Sequence, residues 1–215
     1  MDAELRSRMV QAVGGDAVSS SSALVTPHDR EQAIAAVKLC AEENVRLRVR
    51  SSPGEAAAPE GGIVLSLERL TGVTRHAEGL TLRAEAGAPL EAVRIAASES
   101  GLSVVGLGAG EGRAGSLVAR GGVPRRSLTG VEAVLPTGEA IAFGGAVLKD
   151  VVGYDLPSVL LGSMGRLAVV LAVTFRLEPN DARTPVARAP GAGAADSHAL
   201  LVRAFDPRGL LQSQS

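Results

Sequence analysis

The residues best placed to do chemistry are glycines and small polar residues at turns, not acids, bases or metal ligands. Gly162, Ser163 and Gly165 stand just ahead of the longest apolar run, with Ala168 at its start. Glycine lets a backbone approach a ligand closely or take φ > 0. Successive N–H groups in such a turn make a concavity for an anion. A tight turn between a helix and a buried strand accounts for the same residues. A second candidate loop is Ser51-Ser52-Pro53-Gly54, entered from Arg50. Proline has no N–H, so Pro53 removes one donor from any backbone cradle there. No His or Tyr stands out as a general base. Cys40 is the only cysteine, which rules out an internal disulfide or a cysteine metal cluster. It falls within AIAAVKLCAEE at helical spacing and reads as a small buried apolar residue.

The elements that must position these turns follow from periodicity. Leu5, Met9, Val10 and Val13 share helical spacing in Met1–Val13. Asp29 is a candidate N-cap for a second helix, with Ala33, Ile34, Val37, Leu39 and Cys40 as its apolar face and Asn44 as its end. VRLRVR over 45–50 alternates strictly, placing Val45, Leu47 and Val49 on one face. The arginines take the other face, which reads as solvated. LTLRAEA over 80–86 is a strand, followed by a turn at Gly87 and Pro89 and a helix over 90–100. His76 is expected in a surface turn. Leu-Pro-Thr-Gly-Glu over 135–139 is a hairpin connection.

At 215 residues the chain can bury a sizeable core without crosslinks. Aromatic content is 2%, so that core must be built from Val, Leu, Ile and Ala. The net charge of −1 gives no bulk attraction to nucleic acid or an anionic membrane. The longest apolar run, around LAVVLAV, is far short of the ~20 residues that span a bilayer. The N-terminal residues carry charges throughout and show no secretory apolar stretch. The expected location is the cytoplasm, with no transmembrane segment and no nucleic-acid partner.

VVGYDLPSVLLGSMGRLAVVLAVTFRLEP, from Val151 to Pro179, resembles the end of the PCMH-type FAD-binding domain of the vanillyl-alcohol oxidase flavoproteins. It is most similar to the FAD-binding subunit of glycolate oxidase. Lys149, Gly153, Tyr154, Asp155, Leu156, Gly162, Ser163, Gly165 and Leu167 carry the pattern. Arg166 stands where that family usually has threonine, and Ala168 where it has glycine. Gly115, Ser116, Leu117, Val118, Ala119 and Gly121 match the start of a second family loop. The segment after that loop is shortened and filled by Pro124, Arg125 and Arg126. Phe205, Asp206, Pro207, Gly209 and Leu210 match the family's C-terminal signature, with Gln212-Ser213 where Asn-Pro would stand.

The resemblance implies an α+β PCMH-type FAD-binding fold of two α+β subdomains without a cap domain. Residues 1–178 would form the FAD-binding domain, divided into about 1–73 and 74–178. Residues 179–196 would be a Pro/Gly/Ala-rich linker replacing the cap, and 197–215 the C-terminal family segment. The implied cofactor is FAD. Arg50, Ser51, Ser52 and Gly54 would face its diphosphate, although the family's glycine run there is reduced to Gly54. Gly115, Ser116, Leu117 and Ala119 would lie under the flavin ring. Lys149, Gly153, Tyr154, Gly162, Ser163, Gly165 and Leu167 would line the rest, with Arg166 offering a charge-assisted phosphate contact. The implied role is the FAD-binding subunit of a glycolate oxidase-like 2-hydroxyacid oxidoreductase complex, not active alone. Its partner in the hetero-oligomer would be a catalytic flavoprotein, an iron–sulfur subunit or both. The alternative is a cofactor-free structural subunit of such a complex.

Overall fold

The computed structural model describes residues 1–52, 57–76, 80–144, 155–180 and 195–212. In chain order the elements are α1 (Ala3–Val13), β1 (Leu24–Val25), α2 (Arg30–Glu42), β2 (Leu47–Arg50), β3 (Ile63–Ser66), β4 (Val73–His76) and β5 (Thr81–Glu85). Then come α3 (Leu90–Ser98), β6 (Leu102–Val104), α4 (Ala114–Ala119), β7 (Leu128–Val134) and β8 (Ala140–Gly144). The chain closes with α5 (Leu156–Leu160), β9 (Val169–Pro179), α6 (Ala195–Phe205) and β10 (Leu211–Gln212).

The first sheet has the order β1-β3-β2-β10, with every pair parallel. Its helices form for local reasons. Asp2 accepts a hydrogen bond from the Leu5 N–H at 2.8 Å, and Asp29 accepts one from the Gln32 N–H at 2.8 Å. These caps satisfy donors that have no partner inside the helix. Leu5, Met9 and Val13 bury one stripe of α1, and Ala33, Ala36, Val37 and Cys40 bury the facing stripe of α2. Asn44 then ends the helical path at φ 54. Leu47 and Val49 complete this core against Ile63 and Leu65. Burial pushes the Cys40 thiol up to about 12.

The second sheet has the antiparallel order β4-β5-β9-β7-β8, with β6 pairing the far end of β9. β9 lies between β5 and β7 and is buried on both faces from Val169 through Phe175. That explains why its sequence is a continuous apolar run rather than an alternation. Phe175 is fully buried in a second core with Leu82, Val93, Val118, Val131 and Leu167. The hairpin at 135–139 is present, closed by Leu135 N–H to Glu139 O and Gly138 N–H to Leu135 O, both 2.9 Å. Val134, Val169 and Leu171 of this sheet, with Ala86 just after β5, are buried in the first core, so that core draws on both sheets.

α6 packs Leu201, Val202 and Phe205 on the second core. Asp206, 4% exposed, then accepts from the Leu210 N–H at 3.0 Å and the Leu211 N–H at 2.7 Å. That turn returns the chain to the first sheet, where β10 pairs with β2.

Two expectations change. His76 ends strand β4, paired with Thr81, rather than lying in a turn. The arginine face of β2 is only partly solvated, with Arg46, just before the strand, exposed. Arg48 and Arg50 are half-buried, and their Nε atoms are shielded from solvent. Among the described residues no helix is long and apolar enough to cross a membrane.

Candidate functional site

β2 and β3 run parallel and end side by side, in the register Arg50↔Ser66. In parallel sheets the crevice beyond the carboxyl ends of the strands is where ligands bind. Three of the loops singled out in the sequence meet there or next to it. Ser51, 2% exposed, contacts Ser116 on α4, with the two hydroxyl oxygens 2.5 Å apart. Ser52 beside it is exposed.

α4 is fastened at its start to the turn after β5. Ala114 N–H donates to Ala88 O at 3.0 Å and Gly115 N–H to Ala86 O at 2.8 Å. A Cβ on Gly115 would lie 2.8 Å from the Ala86 Cβ, so only glycine allows this approach. Arg113 donates to Gly87 O at 2.7 Å and holds the same turn. Ala119 is buried and Leu117 half-buried.

The turn over 162–167 docks on the other end of α4. Gly162 N–H donates to Val118 O at 2.9 Å and Met164 N–H to Ala119 O at 2.8 Å. Ser163 N–H and Arg166 N–H bond within the turn, to Leu160 O and Ser163 O, both at 3.1 Å. Gly162, Met164 and Gly165 all have positive φ, at 81°, 54° and 71°. This turn therefore spends four backbone donors on the chain itself and holds α4 against β9. Ser163 and Leu167 are buried there, while Arg166 is exposed.

Gly54, Lys149, Gly153 and Tyr154 lie outside the described residues. The description resumes at Asp155, which caps α5 by accepting from the Ser158 N–H at 3.2 Å. Arg125 grips the same carboxylate with two nitrogens, its Nε at 2.7 Å from Oδ1, and also donates to Leu128 O at 2.6 Å. The Arg125 guanidinium holds the Asp155 carboxyl below the usual carboxylate range. Pro124 packs on Gly106, where a Cβ would come within 2.6 Å. The shortened segment thus ties α4's neighbourhood to the start of α5. Arg125 was not among the candidates in the sequence, because its partner lies 30 residues away.

The donor set around the crevice suits an anion. Arg50, with 15% of its side chain exposed, pairs with Glu68 at 3.4 Å. Its Nε and the fully buried Ser66 Oγ have no hydrogen-bond partner. Ser51 and Ser116 add two hydroxyls. Among the described residues there is no group of three His, Cys, Asp or Glu that could hold a metal. The site offers positive charge and hydrogen-bond donors, the requirements of a phosphate group.

Residues 21–144 match a family model described as an FAD binding domain. The chain belongs to this family of FAD-binding domains. It is 32% identical over 168 residues to an uncharacterized FAD-linked oxidoreductase of Mycobacterium tuberculosis (strain H37Rv), covering 71% of this chain and 37% of that protein. It is 32% identical over 170 residues to a D-lactate dehydrogenase of Archaeoglobus fulgidus, covering 73% and 38%. The glycolate oxidase subunit GlcD of Bacillus subtilis is 28% identical over 177 residues, covering 75% and 38%. The chain therefore spans little more than a third of the length of these relatives. Among solved structures, a cholesterol oxidase from Brevibacterium sterolicum superposes with a TM-score of 0.58 at 18% identity, over 73% of this chain and 34% of that one. The PCMH-type resemblance and the α+β fold are borne out. FAD is the cofactor of the family, and Arg50 with the exposed Ser52 at the crevice suits its diphosphate, while Ser51 and Ser66 are covered by the chain itself.

Proposed function

We propose that this chain is the FAD-binding subunit of a glycolate oxidase-like 2-hydroxyacid oxidoreductase complex. The observation that carries the reading is the match of residues 21–144 to the family of FAD-binding domains. When bound, the flavin supplies the redox chemistry, and the protein supplies binding and orientation. Arg50, Ser51, Ser52 and Gly54 face the diphosphate. Gly115, Ser116, Leu117 and Ala119 form the floor beneath the ring. Gly162, Ser163, Gly165 and Leu167 set the position of that floor through the turn docked on α4. Arg166, Lys149, Gly153 and Tyr154 complete the cofactor's surroundings. Residues 1–73 and 74–178 act as two subdomains, 179–196 as a linker in place of a cap, and 197–215 as the closing segment. The substrate pocket comes from a partner, a catalytic flavoprotein or an iron–sulfur subunit, in a cytoplasmic hetero-oligomer.

The test is an absorbance spectrum of the purified chain after incubation with FAD and gel filtration. Flavin bands that travel with the protein support the reading, and pull-down then seeks the partner. A folded, colourless protein sinks it. That result would favour a cofactor-free structural subunit. The direct Ser51–Ser116 contact, which joins two cofactor loops to each other, favours that second reading.

A further inference from the structure

Both sheets end in strands that have a neighbour on one side only among the described residues. An open edge invites pairing with another chain, and proteins commonly blunt it with a very short strand, a charge or a proline. β1 and β10 are two residues long and β6 is three. β4 carries Arg75 and His76. β8 has none of these protections. Its five residues, Ala140-Ile141-Ala142-Phe143-Gly144, include no charge and no proline, and β7 is its one partner among the described strands.

Hydrogen-bond alternation fixes which backbone groups of β8 are unspent. In an antiparallel pair, directly opposed residues alternate between exchanging backbone bonds and exchanging none. Leu135 N–H donates to Glu139 O, so that opposed pair is a bonded one. The register runs on without a bulge to Ala133↔Ile141 and Val131↔Phe143, which are the next bonded pairs. Ile141 and Phe143 therefore turn their backbone groups to β7. Ala140, Ala142 and Gly144 turn theirs to the open edge. These three residues are exposed, while Ile141 and Phe143 are half-buried against the second core.

We infer that β8 pairs with β8 of a second copy of this chain, antiparallel, about a two-fold axis through Ala142. In that register Ala142 faces the partner's Ala142, and Ala140 faces the partner's Gly144. All of these are residues whose backbone groups point outward. An edge that complements itself is what a closed two-fold interface requires. Ile141 then lies opposite the partner's Phe143 at the non-bonded positions, where side chains approach most closely, and pairs of aromatic and β-branched residues are favourable there. No like charges meet, because the strand carries none. A slip of one residue would set outward-turned Ala142 against inward-turned Phe143 and leave the donors unspent. The inference is independent of the FAD reading, since particle mass reports on one and flavin absorbance on the other.

The experiment is light scattering after gel filtration of the full chain over a dilution series. Wild type, Ala142→Lys, Ala142→Glu and Ala142→Pro are compared, each checked for folding by circular dichroism. Wild type is expected at twice the chain mass of 21.8 kDa at the highest concentrations. Ala142→Lys and Ala142→Glu should each run as single chains, because two like charges then oppose each other across the axis. Mixing these two variants should restore the double mass. Ala142→Pro removes one outward N–H and leaves the β7 ladder intact, the position at which an edge strand tolerates proline. It deletes two interface bonds, one from each copy, and should weaken the dimer about thirty-fold. By NMR, the Ala140 amide should exchange slowly in wild type and fast in Ala142→Lys. Single-chain mass for wild type at every concentration would overturn the inference and leave the edge to a strand of another protein. A dimer that persists in Ala142→Lys, or one whose Ala140 amide exchanges fast, would also overturn it, since the contact would then lie elsewhere. So would a Lys and Glu mixture that stays monomeric.

Discussion

Replacing Glu132 with Gln should lower the stability of the junction between the two halves of the fold. Glu132 on β7 receives Arg83 of β5 through two bonds, Nε to Oε1 at 2.5 Å and a terminal nitrogen to Oε2 at 2.9 Å. Arg30 of α2 reaches the same carboxylate at 3.2 Å, and Arg83 also contacts Glu85 at 3.7 Å. One carboxylate therefore links a helix of the first sheet to two strands of the second. An exposed pair contributes up to ~1 kcal/mol. Breaking a buried pair costs about 3–5 kcal/mol. These side chains are about a quarter exposed, 25% and 24% for Arg83 and Glu132. An intermediate cost of about 2 kcal/mol follows. For a chain of this length that is a fall in Tm of about 4–8 °C at pH 7. The hydrogen bonds from Arg83 hold the Glu132 carboxyl below its ordinary value and raise Arg83 above its own. The stabilisation by Glu132 is thus fully present above the unfolded-state value of about 4.3 and is lost as pH falls through the folded-state value. Thermal unfolding by circular dichroism from pH 7 down to 3.5 should show the gap between wild type and Glu132→Gln narrowing in acid. Arg83→Met should cost a similar amount, and the double variant less than the sum of the two. A Glu132→Gln chain melting within about 1 °C of wild type at pH 7 would refute the assignment. So would a gap that persists at the acid end.

Gly87→Ala should destabilise by about 3 kcal/mol in urea unfolding, because its Cβ would lie 2.1 Å from the Leu67 carbonyl oxygen and 2.8 Å from that of Leu70, both backbone. Cys40 should resist alkylation at pH 8 in the native protein and react only on unfolding, as its burial keeps the thiol protonated; rapid labelling without denaturant, read by mass spectrometry, would contradict this. Arg125→Met should cost under ~1 kcal/mol, since Arg125 and Asp155 are 40% and 53% exposed. Its Asp155 carboxyl should titrate at higher pH than in wild type by NMR, because the guanidinium that favours the charged form is gone.

Much of the fold is legible in local pattern. The Asp29 cap, the helical stripes of α1 and α2, the alternation of β2 and β5, the 135–139 hairpin and the apolar run of β9 each follow from residues close together. β4 and β6 are not legible in that way. They are short strands that exist because β5 and β9 pair with them. The arginine face shows a limit of another kind. Alternation separates a polar face from an apolar one, but it does not distinguish a face turned to solvent from one buried with donors unspent. The Ser51–Ser116 contact spans 65 residues of sequence and has no local signature. The sequence of the 162–167 turn suits either a tight turn or an anion cradle. Its N–H bonds to Leu160, Val118, Ala119 and Ser163 fit the first.

The pairing of β10 with β2 has a consequence for the order in which the fold is completed. Leu211 pairs with Leu47, and the whole second sheet is built from chain that lies between them. On the ribosome, the second sheet therefore has all its strands once β9 emerges, while the first sheet, begun earlier, still lacks its edge. Until residues 206–212 arrive, β2 presents a bare row of hydrogen-bonding groups, and such an edge can recruit a strand from another chain. The Asp206 turn, which aims β10 at that edge, is then also a safeguard against misassembly during synthesis.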